Sequence, residues 1–147
     1  MSDLVFKTVS NLGDINEMVN SHAEVFSAEP LVLWNEESVK NELNAGWNLY
    51  TVLFNKDMVA GLFVKKQADR LVTKNTHLNI QYQGNAFSHR IKEFYEKLAE
   101  DENCSSVVNL CGGDHFRTIA LNESHGYVLE EKDENEGHEI QIWSKKI

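Results

Sequence analysis

The chain is 147 residues long, 41% hydrophobic and 25% charged with a single proline, which fits one folded domain and excludes fibrous and disordered classes. Acidic residues outnumber basic ones by 23 to 14, and the formal charge of −9 repels nucleic-acid phosphates and anionic membranes, so neither is expected as a partner. The same field mildly favours a cationic substrate, although much of the excess lies in two acidic stretches, residues 100–102 and 130–136, that also read as solvated loop or edge.

Residues 4–9 alternate apolar and polar side chains and end at a turn-forming stretch, which predicts a first strand followed by a helix capped by Asp14. Ile15, Met18, Val19, His22, Ala23, Val25 and Phe26 recur at helical spacing, and Pro30 stops that helix. A second helix follows Asn35, with early acids, and closes at Gly46. Residues 47–54 and 58–65 read as an antiparallel hairpin around the turn at 55–57, and residues 70–80 as a further strand.

After a glycine-bearing turn, Phe87, Ile91, Phe94, Tyr95 and Leu98 mark an amphipathic helix to about residue 100, with charges on its other face. Residues 105–110 form a buried-type strand, 116–125 a last helix stopped by Gly126, and strands are expected around 127–132 and 138–144. The order is βααβββαβαββ. The N-terminus lacks the basic and apolar regions of a leader, and no apolar run approaches the ~20 residues of a membrane span, so a cytoplasmic protein is expected. In that setting Cys104 and Cys111 read as reduced, buried side chains.

The sharpest local feature is the run Gln81-Tyr82-Gln83-Gly84-Asn85-Ala86-Phe87-Ser88 between a strand and an amphipathic helix. A helix start exposes unpaired N–H groups and the positive end of the dipole, and small residues let an anion approach them. The alternative is ordinary turn chemistry.

This turn and the element order resemble the GNAT superfamily of acetyl-coenzyme A-dependent N-acetyltransferases. Its cofactor motif, Gln/Arg-x-x-Gly-x-Gly/Ala, is matched by Gln81-x-x-Gly84-x-Ala86. A second and preferred register sets Gln83 to Ser88 on Arg-Gly-x-Gly-x-Gly, with Ala86 and Ser88 in place of glycines. Val107 to Leu110 looks like the fifth strand of the family, residues 118–127 resemble its Ala-Ile-x-Leu-Tyr-x-x-x-Gly-Phe segment, and residues 142–147 its terminal strand. Residues 25–30 with Trp34 are similar to a Phe-x-x-x-Pro-Trp loop found in some members.

The resemblance implies a single domain over residues 1–147, with a mixed, mostly antiparallel sheet of about 6–7 strands flanked by about 4 helices. It also implies acetyl-coenzyme A between splayed fourth and fifth strands, with an amine acceptor entering opposite. Leu78, Ile80 and Gln83, Gly84, Asn85, Ala86, Phe87 and Ser88 would then contact the cofactor, and Glu29 and Trp34 the acceptor. Sheet-edge dimers are frequent in this family, so a homodimer is an option.

Two family positions depart from the pattern. Asn75 stands where a strand glutamate often serves as base, and Asn122 where a tyrosine often protonates coenzyme A; an amide does neither. His77, on the face of Asn75, is then either a base or an ordinary strand histidine, while Asn122 either hydrogen-bonds the coenzyme or is merely solvated. An inactive binding module of the same fold is the competing reading. The cysteines and histidines form no metal-ligand spacing, and no Gly-x-Ser-x-Gly or Walker-type motif occurs, so a metal, hydrolase or NTPase function is not expected.

Overall fold

The computed structural model describes residues 4–9, 34–76, 82, 86–135 and 137–147. Among these the order is β1 (Val5–Val9), α1 (Glu36–Asn44), β2 (Asn48–Phe54), β3 (Asp57–Gln67), β4 (Arg70–Asn75), α2 (Phe87–Asp101), β5 (Ser106–Gly112), α3 (Phe116–Ser124), β6 (Val128–Asn135) and β7 (His138–Lys146). The strands form a seven-stranded sheet in the order β1-β2-β3-β4-β5-β7-β6, in which β4 and β5 run parallel and the other described pairs antiparallel. The expected mixed, mostly antiparallel sheet is therefore present, with three helices among the described residues. The helix expected from Asp14 onward lies outside them.

The chain divides into two compact units, residues 1–64 with 75–87 and residues 65–74 with 88–147. In the first, Asn35 caps α1 as its sequence predicts, its Oδ1 accepting the Ser38 N–H at 2.9 Å, while Glu36 and Glu37 face the positive end of the helix dipole. Asn55 and Lys56 join β2 to β3 with φ of 50° and 72°, the paired left-handed conformations that let a two-residue turn follow the twist of its strands. From Met58 to Val64 β3 is buried on both faces, which its continuous apolar run foreshadows. Trp34, Val39, Leu49, Met58 and Phe63 form the core here. Gly61 makes room for it: a Cβ there would lie 2.8 Å from the Trp34 ring.

In the second unit, α2 carries the chain from β4 to the parallel β5, the crossover that parallel neighbours require. Ile91, Tyr95 and Ala99 bury one side of α2, and Val107, Val108 and Trp143 are buried on β5 and β7. Gly126, at φ 83°, lets the chain turn out of α3 into β6. The acidic stretch at 130–136 falls largely on β6, the edge strand, whose exposed Glu130, Glu131, Lys132, Asp133 and Glu134 disfavour pairing with another copy at that edge.

Candidate functional site

The parallel register between β4 and β5 runs from Arg70↔Ser106 to Thr73↔Asn109, whereas β5 continues alongside β7 as far as Gly112↔Ile140. The two parallel strands thus stop pairing at Thr73 and Asn109, both buried. A polar residue in the middle of Val107-Val108-Asn109-Leu110 interrupts an otherwise apolar strand, and its amide has to be satisfied inside the protein.

A one-directional chain of hydrogen bonds satisfies it. The Lys92 ammonium donates to Asn122 Oδ1 at 2.5 Å, Asn122 Nδ2 donates to Asn109 Oδ1 at 3.2 Å, Asn109 Nδ2 donates to Thr73 Oγ1 at 3.1 Å, and that hydroxyl donates to the Val108 carbonyl at 2.8 Å. Each group donates onward and accepts from behind, so the bonds polarise one another, and a cation at the donor end strengthens the series. The chain joins α2, α3, β5 and β4 at the end of the parallel register.

Lys92 is the unusual member. It is 2% exposed, and its Nζ lies 4.5 Å from the centroid of the Tyr127 ring, on whose face the positive charge is attracted. Its closest acid in charge terms, Glu96, is committed to Lys145 at 2.6 Å. Burial without a bonded carboxylate disfavours the ammonium and pulls its pKa from an ordinary 10.5 to about 7, against smaller opposing effects of Cys111 and Glu96. The neighbours shift the other way, since burial disfavours their anions: the Cys111 thiol is pushed up to about 11, and the Tyr127 phenol well above its usual range. The buried Tyr127 Oη has no hydrogen-bond partner among the described residues.

At the start of α2, Ala86 adopts a left-handed φ of 62°, and the first turn of the helix carries no acidic residue. The positive end of this helix dipole therefore has no carboxylate of its own turn to neutralise it. Phe54, Tyr82 and Phe87 pack ring on ring there, at centroid distances of 5.0 to 5.9 Å, and Tyr82 Oη donates to Asp57 Oδ2 at 2.6 Å.

Of the residues singled out by sequence, His77, Leu78, Ile80, Gln83, Gly84, Asn85 and Glu29 lie outside the described residues. Asn75 is half-buried, with its amide donating to the Thr76 carbonyl at 2.8 Å. Asn122 is wholly buried, neither solvated nor open, and both ends of its amide are taken by Lys92 and Asn109. Trp34, expected at the acceptor, is a core side chain packed against Gly61. Thr73, Lys92 and Asn109 were not singled out from sequence, and the signals for them were a polar residue in each of two buried strands and a lysine one turn before Tyr95.

Cys104 and Cys111 are free and buried. Among the described residues no three His, Cys, Asp or Glu side chains gather to hold a metal, and no helix is long and apolar enough to cross a membrane.

No protein-family model matches the sequence, and no curated protein matches it in sequence. Solved structures do match in shape. The ribosomal-protein-S18-alanine N-acetyltransferase from Escherichia coli is similar with a TM-score of 0.79 at 15% identity, over 99% of this chain and 94% of that one. The PaiA N-acetyltransferase from Thermoplasma acidophilum, in complex with coenzyme A, gives 0.71 at 13% identity over 99% of each chain. A GNAT family acetyltransferase from Elizabethkingia anophelis with acetyl-coenzyme A bound gives 0.70 at 10% identity over 98% of each. The fold of the chain is the GNAT fold.

Proposed function

We propose that this chain, carrying the GNAT fold, is an N-acetyltransferase that moves an acetyl group from acetyl-coenzyme A to a primary amine of a small molecule or peptide. The observation that carries the reading is the end of the β4–β5 register at Thr73↔Asn109, together with helix α2, the next helix in the chain, whose first turn carries no acid. A thioester arm fits where parallel strands stop pairing, and a pyrophosphate fits a helix start whose first turn has no acid. Structural neighbours bound to coenzyme A or acetyl-coenzyme A support the same cofactor.

In this reading the amides of residues 84–88 hold the pyrophosphate, and Leu78 and Ile80 line the pantetheine arm. The acceptor nitrogen then attacks the thioester carbonyl, helped mainly by being held close to it, since positioning alone can supply several kcal/mol. Asn75 is a polar contact on the acceptor side, His77 the side chain there able to take a proton near neutral pH, and Glu29 a partner for the ammonium of the incoming amine.

The test is Ala86→Glu. A carboxylate before α2 suits the helix dipole, so the fold should hold, but it occupies the place proposed for the pyrophosphate and repels it. Calorimetric affinity for acetyl-coenzyme A should fall by more than about tenfold, which corresponds to 1.4 kcal/mol. A folded variant that binds as tightly as the parent contradicts the assignment.

A further inference from the structure

We propose that His89 and His125 form a one-proton clasp between the first turn of α2 and the end of α3, and that the seam between these helices opens when acid charges both rings. The clasp stands whether or not the chain is an acetyltransferase. Its geometry is that of a shared proton. His89 Nδ1 and His125 Nε2 lie 2.7 Å apart, with the ring centroids 4.9 Å apart and the ring planes 32° from parallel. That centroid distance is close to the nitrogen separation plus one ring radius at each end, so the rings meet end on and do not stack.

An N–H of one ring donates to the bare nitrogen of the other, and the space between them holds a single proton. A first added charge leaves this bond in place and strengthens it, because the new proton settles on an outer nitrogen. A second charge puts an N–H on both facing nitrogens. The bond is then replaced by two donors and two cations set head on, which repel.

The clasp is the outer rung of a seam. His89, Lys92 and Glu96 follow one another at helical spacing along α2, and Asn122 and His125 do so at the end of α3. His89 meets His125, Lys92 meets Asn122 at 2.5 Å, and Glu96 meets Lys145 of β7 at 2.6 Å. Lys92 and Asn122 are buried, whereas His89 is exposed and His125 half-buried, so bulk protons reach the outer rung first.

The charges around the rings add to the effect of acid. Burial, and then the charge of His89, hold the His125 imidazole below its ordinary range; Glu96 opposes them, and Lys92 and Lys145 add to them. Of the sequence neighbours, Arg90 is half-buried, and Glu93 and Glu123 are exposed, where water and salt screen them. With both rings charged the seam carries His89, His125, Lys92 and Lys145 as cations, and the carboxylate among them, Glu96, is already paired with Lys145. The sign with pH follows. A His125 ring kept neutral in the fold is protonated first in the unfolded chain, so its contribution is full above about pH 6.5 and is lost as the pH falls.

Nuclear magnetic resonance on the whole chain tests both halves of the proposal. Followed from about pH 8 to about pH 4, the imidazole resonances of His89 and His125 should titrate as a coupled pair, in two steps at least about one pH unit apart. In His89→Gln, whose amide can still bond His125 but carries no charge, His125 should titrate in one step. Hydrogen-exchange protection of amides 121–125, corrected for the intrinsic rate, should fall at least about tenfold between about pH 7.5 and pH 4.5 in the wild type and less than about threefold in His89→Gln. Amides 48–54 of β2 should keep their protection in both proteins. Two rings that titrate together in a single step overturn the shared proton. Protection at 121–125 that is constant with pH, that falls equally in His89→Gln, or that falls together with β2 overturns the clasp.

Discussion

Replacing Lys92 by methionine is expected to make the protein more stable at neutral pH, by about 2 kcal/mol. A lysine whose pKa falls from 10.5 in the unfolded chain to about 7 in the fold is held there at a cost. At pH 7 that cost is roughly 4 kcal/mol, of which about 1–3 is given back because methionine leaves the Asn122 carbonyl unbonded. The sign with pH follows from proton counts. Between pH 7 and pH 9 the unfolded chain holds the Lys92 proton and the fold does not, so wild-type stability should rise by roughly 2 kcal/mol, while Lys92→Met stays flatter.

Above pH 9 the trend reverses. The Cys111 thiol, raised to about 11, and the Tyr95 and Tyr127 phenols, raised by burial, keep their protons in the fold when the unfolded chain loses them. Urea unfolding at pH 7, 8 and 9 on both proteins measures this. A Lys92→Met variant that is less stable at every pH, with the same pH slope as the wild type, shows the lysine to be charged and well compensated.

Asn122→Leu is expected to act in the opposite direction, lowering stability by about 2–4 kcal/mol at pH 7. It removes the one hydrogen-bond acceptor that a buried ammonium has among the described residues and also strands Asn109 Oδ1, which accepts from Asn122 Nδ2. The loss should shrink toward pH 9, where Lys92 is largely neutral and no longer charged without a partner. Combining the two changes should recover most of the deficit, because an apolar pair replaces a polar one, and the coupling between the sites is read from the double-mutant cycle. Strictly additive effects would show that Lys92 and Asn122 do not share the bond that joins them in the structure.

Why these residues were hard to read from sequence is a matter of helix geometry. Phe87, Ile91, Phe94, Tyr95 and Leu98 define the apolar stripe of α2, and Lys92 reads as one of the charges beside it. Yet Lys92 shares a row with Ser88, Tyr95 and Ala99, and the small members of that row give no hydrophobic signal although Tyr95 and Ala99 are fully buried. Its partner Asn122 is 30 residues away, a separation no local pattern crosses.

Asn122 itself was legible as an amide at an unusual place, but its direction was not, since a residue on α3 can face either the solvent or α2. The strands were easier. The hairpin of β2 and β3 announces itself through two β-rich runs around a short polar turn, and Asn35 caps α1 through the side chain its sequence offers. For Trp34 the reverse holds: an aromatic beside a proline-bearing loop suggests a binding surface, while its packing over the bare backbone of Gly61 is not written in any local pattern.

The central claim is acetyl transfer, and amine-dependent release of coenzyme A tests it most directly. Wild-type protein is mixed with acetyl-coenzyme A and a panel of polyamines, aminoglycosides, amino acids and peptides, free thiol is followed with time, and the products are identified by mass. At least one primary amine is expected to accelerate thiol release and to be recovered as its N-acetyl derivative. Tight binding of acetyl-coenzyme A with no release above the protein-free rate, for any amine in the panel, would contradict it and make the chain a coenzyme A-binding module.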